Sequence, residues 1–523
     1  MKRTTLCSLA FAALGVAAAS TGALSAEVLL RSNDGSIDVT GELLDFSDGV
    51  YTVRTSIGPL RLSAARVRCE GEGCPVIDVS GADVTLSGSD TVGEELMPLL
   101  LAGYAARFEA EADVQTGSRP FEKAVSLIGD GGFGDEITSF SVISRGSSTG
   151  FEDLLAGEAE IAMSSRSVRP AEAEAFANAG HGDLTSLGQE RILAVDSLRV
   201  IVHPDNPVDT ISFADLAGVF AGEITNWSAL GGPDAPISVY SRNTESGTFD
   251  TFQRRMMRPA RKEVSPNAEV LPGHIEVSKA VNADPGGIGY VGFAFERGAK
   301  TLDLRTACDI VVRADEFSAK TEEYPLERRL YLYAKNGEMS EHAQGLFDYA
   351  ATEAMDGLVS KAGFVNLGVK RRGQEDAANR VRDLIEATDD PFETNLMRQL
   401  YIEMLEYDRL STTFRFAPGA SVLDNKALRD LDRIANFLAA QPGASVAVVG
   451  FTDSDGPFSS NLSLAERRAA QVLAELRRVG GDRIANVDIQ SRGFGELSPS
   501  ACNETFDGRK INRRVEIWIN NQS

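Results

Sequence analysis

The sequence predicts a mixed α/β protein built from several domains. Its 523 residues exceed what a single hydrophobic core usually serves, and 43% of them are hydrophobic, an ordinary globular share. From about residue 80 onward, apolar strand-like runs repeatedly end in turns of Ser, Thr and Gly that open helical patterns. Ahead of that, in residues 27–78, apolar and polar positions alternate with period two, which predicts a small antiparallel β module.

Taken in order, residues 1–26 have the make-up of a secretory signal. Lys2 and Arg3 form the basic end, Leu6 to Ala19 is apolar, and Leu24-Ser25-Ala26 is a small-residue cleavage site. The apolar run is too short to span a bilayer, and no other stretch is longer. The expectation is a soluble protein exported to the periplasm. Without Cys7, four cysteines remain, which an oxidising compartment allows to pair in three ways. Cys69 and Cys74 enclose a flexible Glu-Gly-Glu-Gly loop, which favours a bridge between them; Cys308 and Cys502 pair or stay free. The four histidines have no zinc-ligand spacing, and no metal or cofactor is expected.

The net charge is −24, and it falls to −26 once Lys2 and Arg3 are removed. So acidic a chain excludes nucleic acid as a partner, and an anion site in it must rest on local donors. Such donors recur. Arg242-Asn243-Thr244-Glu245-Ser246-Gly247-Thr248 lies between a strand pattern and a helix pattern. A helix start offers free N–H groups, Ser246 and Thr248 offer hydroxyls, Gly247 allows close approach, and Arg242 adds a planar fork. Ser89-Asp90-Thr91-Val92 and Gly146-Ser147-Ser148-Thr149-Gly150 repeat the arrangement, and Ser164-Ser165-Arg166 adds a further polar turn. Several such turns in one α/β region suggest convergence on a shared anion, because burying its charge demands many donors.

With these turns and Ile224-Thr225-Asn226-Trp227, Gly231 to Ile237, Gly286 to Gly292 and Tyr324-Pro325-Leu326 in the same order, residues 79–365 resemble the phosphate-binding proteins of bacterial ABC uptake systems. The resemblance implies the two-lobed periplasmic-binding-protein fold closing on a dehydrated oxyanion, and an ABC permease as partner. It places the first lobe at about 80–193 plus 288–365 and the second at about 194–287. Phosphate would be held by Thr91, Val92, Ser147, Ser165, Arg242, Ser246, Gly247 and Thr248. Ser165 stands where the best-known members carry an Asp that accepts the anion's proton. A serine donates or accepts, so discrimination against sulfate or arsenate is left open. Gly146 to Gly150 also fits the G-x-S-x-G nucleophile elbow, which would make Ser148 the nucleophile of a serine hydrolase with His274 or His342 as base.

Residues 366–410 carry two helical stripes broken at Asp389-Asp390-Pro391 and read as a helical connector. Residues 411–523 read as a second mixed α/β domain. Gly450-Phe451-Thr452-Asp453, Asn461, Arg468-Ala469, Gly493 to Glu496, Asn503 and Asn512 to Glu516 resemble the OmpA-like peptidoglycan-binding domain. In that family an Asp and an Arg hold diaminopimelate of the wall peptide, and the matching positions are Asp453 and Arg468, with Asn461 and Arg513 in support. A zwitterionic ligand needs both an acceptor and a fork. Ala465 replaces the family's usual Ser. The expected whole is a non-enzymatic periplasmic receptor for phosphate or a similar oxyanion, tethered noncovalently to peptidoglycan. The alternative is a structural anchoring protein whose binding-protein half docks a protein partner.

Overall fold

The structure is a computed structural model that describes residues 27–520, apart from 33–37, 48–49, 64–66, 71–72, 76–80, 118, 120, 245, 338 and 417–422. The signal segment, the turns at Asn33-Asp34-Gly35 and Asp48-Gly49, and Glu245 of the Arg242 loop therefore lie outside the described residues. The chain divides into two units, residues 1–77 and 78–523. Among the described residues no helix is long and apolar enough to cross a membrane.

The first unit is a five-stranded sheet, antiparallel throughout, ordered Gly58–Ser63, Val50–Thr55, Asp38–Ser47, Glu27–Ser32, Val67–Glu70. Alternation puts Val28, Leu30, Tyr51, Val53 and Val67 on one buried face. Cys69 and Cys74 form a disulfide.

In the second unit one long strand, Glu190–Val202, organises the two lobes. Its first half pairs antiparallel with Glu327–Tyr333, and its second half with Gly287–Gly292. From Glu327–Tyr333 the sheet continues through Ile161–Ser164, Val84–Gly88 and Glu136–Ile143, which build the first lobe. From Gly287–Gly292 it continues through Ser238–Arg242 and Glu269–Leu271 into the second. Each lobe has its own core, one around Leu86, Leu100 and Phe140, the other around Phe220, Trp227 and Tyr290. The lobe limits differ from those expected. Leu302, Leu304, Val312 and Leu326 belong to the second core, so the chain returns to the first lobe only at Glu327–Tyr333. The reason is pairing: Gly287–Gly292 bonds the second-lobe strand Ser238–Arg242, which keeps it and the short strands after it on that side.

The C-terminal sheet is ordered Arg371–Arg372, Tyr407–Arg415, Arg514–Asn520, Ser445–Phe451, Asp488–Gly493, with only the last pair parallel. Helices Asn425–Ala439 and Phe458–Gly480 cover one face. The expected connector is instead part of this domain: Glu375–Ala387 and Pro391–Glu406 pack Val381, Met397 and Leu400 against Val449, Phe451 and Trp518 on the other face. Strand Ser445–Phe451 is buried on both faces, so the sheet needs a second layer that helices 425–439 and 458–480 cannot supply. The domain is fastened to both lobes. Cys308 of the second lobe is disulfide-bonded to Cys502, and Arg433 pairs with Asp356 of the first lobe at 2.7 Å.

Candidate functional site

Three neighbouring parallel strands, Ile161–Ser164, Val84–Gly88 and Glu136–Ile143, end at one edge of the first lobe. Their C-terminal turns therefore meet, as they do at the mouth of any open parallel sheet. Gly146 adopts φ of +106°, a conformation that suits glycine, and its N–H donates to the Gly88 carbonyl at 2.7 Å. That bond locks two of the predicted turns together. The third joins through Ser165, whose N–H donates to Ser147 Oγ at 3.1 Å.

The second lobe contributes the turn after Ser238–Arg242. Ser246 caps the helix Gly247–Phe252, its Oγ accepting from the Thr248 N–H at 3.2 Å. Gly247 lies against the first lobe. A Cβ there would collide with Thr91 Oγ1 and sit 3.2 Å from both Arg328 Nη2 and Asp90 Oδ2. Seven of the eight expected residues thus gather where the lobes meet: Thr91, Ser147 and Ser165 from one side, Arg242, Ser246, Gly247 and Thr248 from the other. The eighth, Val92, is expected to donate through its backbone N–H, next to Thr91; its side chain is buried in the first-lobe core.

Arg242 is the least satisfied of them. Its Nε and Nη1 are buried, and neither has a hydrogen-bond partner among the described residues. Burial lowers its pKa from the ordinary value, while the carboxylates of Glu95, Glu276 and Asp90 oppose the shift. It is a desolvated cation with spare donors. Beside it, burial and the Arg242 charge pull His274 down to about 3, so this imidazole is neutral at ordinary pH. Its Nδ1 accepts from the Gly292 N–H at 3.1 Å, which assigns the proton to Nε2 and directs it at Thr248 Oγ1, 3.3 Å away. The Thr248 hydroxyl is left with its own proton to donate.

Sequence reasoning missed Arg328. It faces Asp196 in the strand register and binds it at 2.9 Å, while Nη1 donates to Ser165 Oγ (3.2 Å) and Nη2 to Thr91 Oγ1 (2.7 Å). One guanidinium thereby braces two of the expected ligands. The available signal was a doubled arginine inside an otherwise apolar strand, Arg328-Arg329-Leu330-Tyr331-Leu332-Tyr333. Outward from Ser147, Ser165, Ser246 and Gly247 the lobes enclose a cleft of about 410 Å³, to whose lining Arg145, Arg166, Arg169, Arg254 and Arg258 contribute. Ser148 Oγ accepts from Arg166 Nη2 at 3.1 Å, whereas His274 faces Thr248 and His342 faces Tyr104 (3.4 Å). Among the described residues no hydrogen bond of the kind the hydrolase reading requires joins either histidine to Ser148.

In the C-terminal domain Asp453 Oδ2 accepts from Arg513 Nη1 at 2.5 Å, and Asn461 Nδ2 donates to the Asp453 carbonyl at 3.2 Å. Arg468 is buried with its guanidinium 4.9 Å from the Phe416 ring centre. Burial lowers its pKa, Arg513 adds to the shift and Asp453 opposes it. The four expected residues form one cluster.

Comparison with known proteins agrees with this architecture. Residues 108–354 match the PBP superfamily domain and residues 415–513 the OmpA family. The chain is 30% identical over 224 residues to the phosphate-binding protein PstS of Bacillus subtilis (strain 168), which spans 42% of this chain and 68% of that protein. Over 92 residues it is 44% identical to the peptidoglycan-binding protein ArfA of Mycobacterium bovis, 17% of this chain and 27% of that one. A crystal structure of an ABC-type phosphate transport receptor from Vibrio cholerae superposes with a TM-score of 0.41 at 23% identity, over 54% of this chain and 99% of that one. The two-lobed fold and the matched domain define a periplasmic-binding-protein class. Within it, the chain belongs to the phosphate-binding protein family of the PBP superfamily and carries an OmpA family domain at its C-terminal side.

Proposed function

We propose that the two lobes form a receptor for phosphate or a similar tetrahedral oxyanion, and that the C-terminal domain holds this receptor to peptidoglycan. The observation that carries the first part is Arg242, half-buried, whose buried Nε and Nη1 have no partner among the described residues, beside a capped helix start and the hydroxyls of Thr91, Ser147 and Thr248. A buried guanidinium in that state gains most from an acceptor-rich anion. Arg328 is already occupied, so it serves as the brace and Arg242 as the grip. Relatives that are phosphate-binding proteins favour phosphate over other oxyanions. Phosphate would be handed to an ABC permease, and the protein would work in the periplasm.

The tether rests on Asp453, Arg468, Asn461 and Arg513, an acceptor and forks suited to the zwitterionic end of diaminopimelate. The similarity to a peptidoglycan-binding protein supports it. Titration calorimetry with phosphate, sulfate and arsenate side by side is the direct test. Micromolar or tighter phosphate binding is expected. Absence of binding for all three would leave the lobes as a docking body for another protein.

A further inference from the structure

The cleft that Ser147, Ser165, Ser246 and Gly247 share with the anion site is larger and more cationic than one oxyanion needs. Its volume of about 410 Å³ is the room of roughly a dozen waters, against the five heavy atoms of a phosphate ion. Among the described residues no aliphatic or aromatic side chain lines it: the walls are Arg, Asp, Ser, Thr and Gly. A ligand with a hydrocarbon or a base would bury that part against guanidinium groups, so the lining selects a ligand that is polar throughout. Among the described residues the lining sets six arginines against two carboxylates, Asp90 and Asp250. That selects a ligand made of acceptors, which disfavours sugars, whose hydroxyls must also donate.

The two walls differ in how their arginines are held. On the first lobe Arg166 is clamped by Glu172 at 2.7 Å, and Arg145 binds Asp153 at 2.9 Å through one nitrogen. On the second lobe Arg254 binds Asp250 at 2.8 Å, yet its Nε is buried without a partner among the described residues. Arg258, four residues on, is exposed and makes no ion pair among the described residues. Unsatisfied cationic donors therefore continue outward from Ser246 and Gly247 along one wall.

Building on the receptor reading, we infer that this vestibule is a second phosphoryl subsite, and that the protein also takes condensed phosphates of the diphosphate class. One phosphoryl group occupies the Arg242 site, and the next lies between Arg254 and Arg258 on one wall and Arg145 and Arg169 on the other. An arginine funnel that merely attracts anions is the competing account, and it predicts losses that scale with ligand charge and disappear at high ionic strength.

The test is calorimetry of the full chain with orthophosphate and with inorganic diphosphate, including competition between them. The wild type should bind both, each displacing the other. Arg254→Gln combined with Arg258→Gln should weaken diphosphate at least tenfold and orthophosphate less than threefold. Arg169→Gln, a side chain 62% exposed and safe for folding, should show the same selective loss to a smaller degree. Orthophosphate binding without diphosphate binding at millimolar concentration overturns the inference and leaves the receptor intact. A selective diphosphate loss that disappears at high ionic strength, or equal losses for the two ligands, overturns it. If neither ligand binds the wild type, the receptor reading itself has failed.

Discussion

The interlobe cluster holds one half-buried arginine, Arg242, and the C-terminal cluster holds two buried ones, Arg468 and Arg513. Arg242 keeps two buried N–H groups without a partner among the described residues, whereas Arg513 is already closed on Asp453 at 2.5 Å. In the first site an arriving anion satisfies donors that nothing else reaches, so binding repays a desolvation cost already met in folding. In the second, on the proposed reading, a wall peptide would have to compete with that ion pair before its ammonium could reach Asp453. On the proposed reading, then, the Asp453 side of the C-terminal cluster is satisfied beforehand and the Arg242 side of the interlobe cluster is not.

Arg242→Ala should strike hardest. It removes the grip and leaves a bound anion facing too few donors, so phosphate affinity should fall by about 3–4 kcal/mol, two to three orders of magnitude by calorimetry. Arg242→Lys keeps the charge without the fork and should lose roughly tenfold. If both variants bind like the wild type, the contrast with the C-terminal site collapses.

Asp453→Ala and Arg468→Ala come next. Each should reduce retention on purified sacculi by about 2–3 kcal/mol, while orthophosphate binding stays as in the wild type. Loss of both activities together would show that the sites are not independent.

His274 gives a smaller, pH-dependent effect. Its folded pKa, about 3, lies below the ordinary 6.5, so between these values the unfolded chain binds the extra proton. Stability should be full above pH 6.5 and should fall as the pH drops towards 3. Because the ring is half-buried, the loss attributable to it at pH 4 should be about 1–2 kcal/mol in thermal melts. His274→Gln should flatten that part of the profile; an unchanged slope would remove His274 from the account of Thr248.

Ser165→Asp should produce the smallest change. A carboxylate there would meet Arg328, which now donates to Ser165 Oγ at 3.2 Å, and would oppose a fully ionised anion. Sulfate should weaken about tenfold relative to phosphate, read as a ratio of dissociation constants.

The Arg242 turn was legible because its parts are consecutive: strand, arginine, capping serine and glycine follow one another within seven residues. Arg328 was not, because its role comes from facing Asp196, 132 positions away, across paired strands. Helices 375–387 and 391–406 looked like a connector because their apolar stripes are narrow among charges. Their partner, the second face of Ser445–Phe451, is visible only when the sheet is assembled.

Local chemistry, then, was written in the chain itself: turns that can donate to an anion, an acidic body that makes such turns notable, and a C-terminal motif set with its Asp and Arg. Tertiary structure alone decided which donors are left unsatisfied, where the lobes divide, and that Cys308 bonds Cys502 across 194 residues. The physical reason is that hydrogen-bond satisfaction and burial are properties of what surrounds a group. For Arg242 and Arg328, those surroundings come from strands and helices far away in sequence.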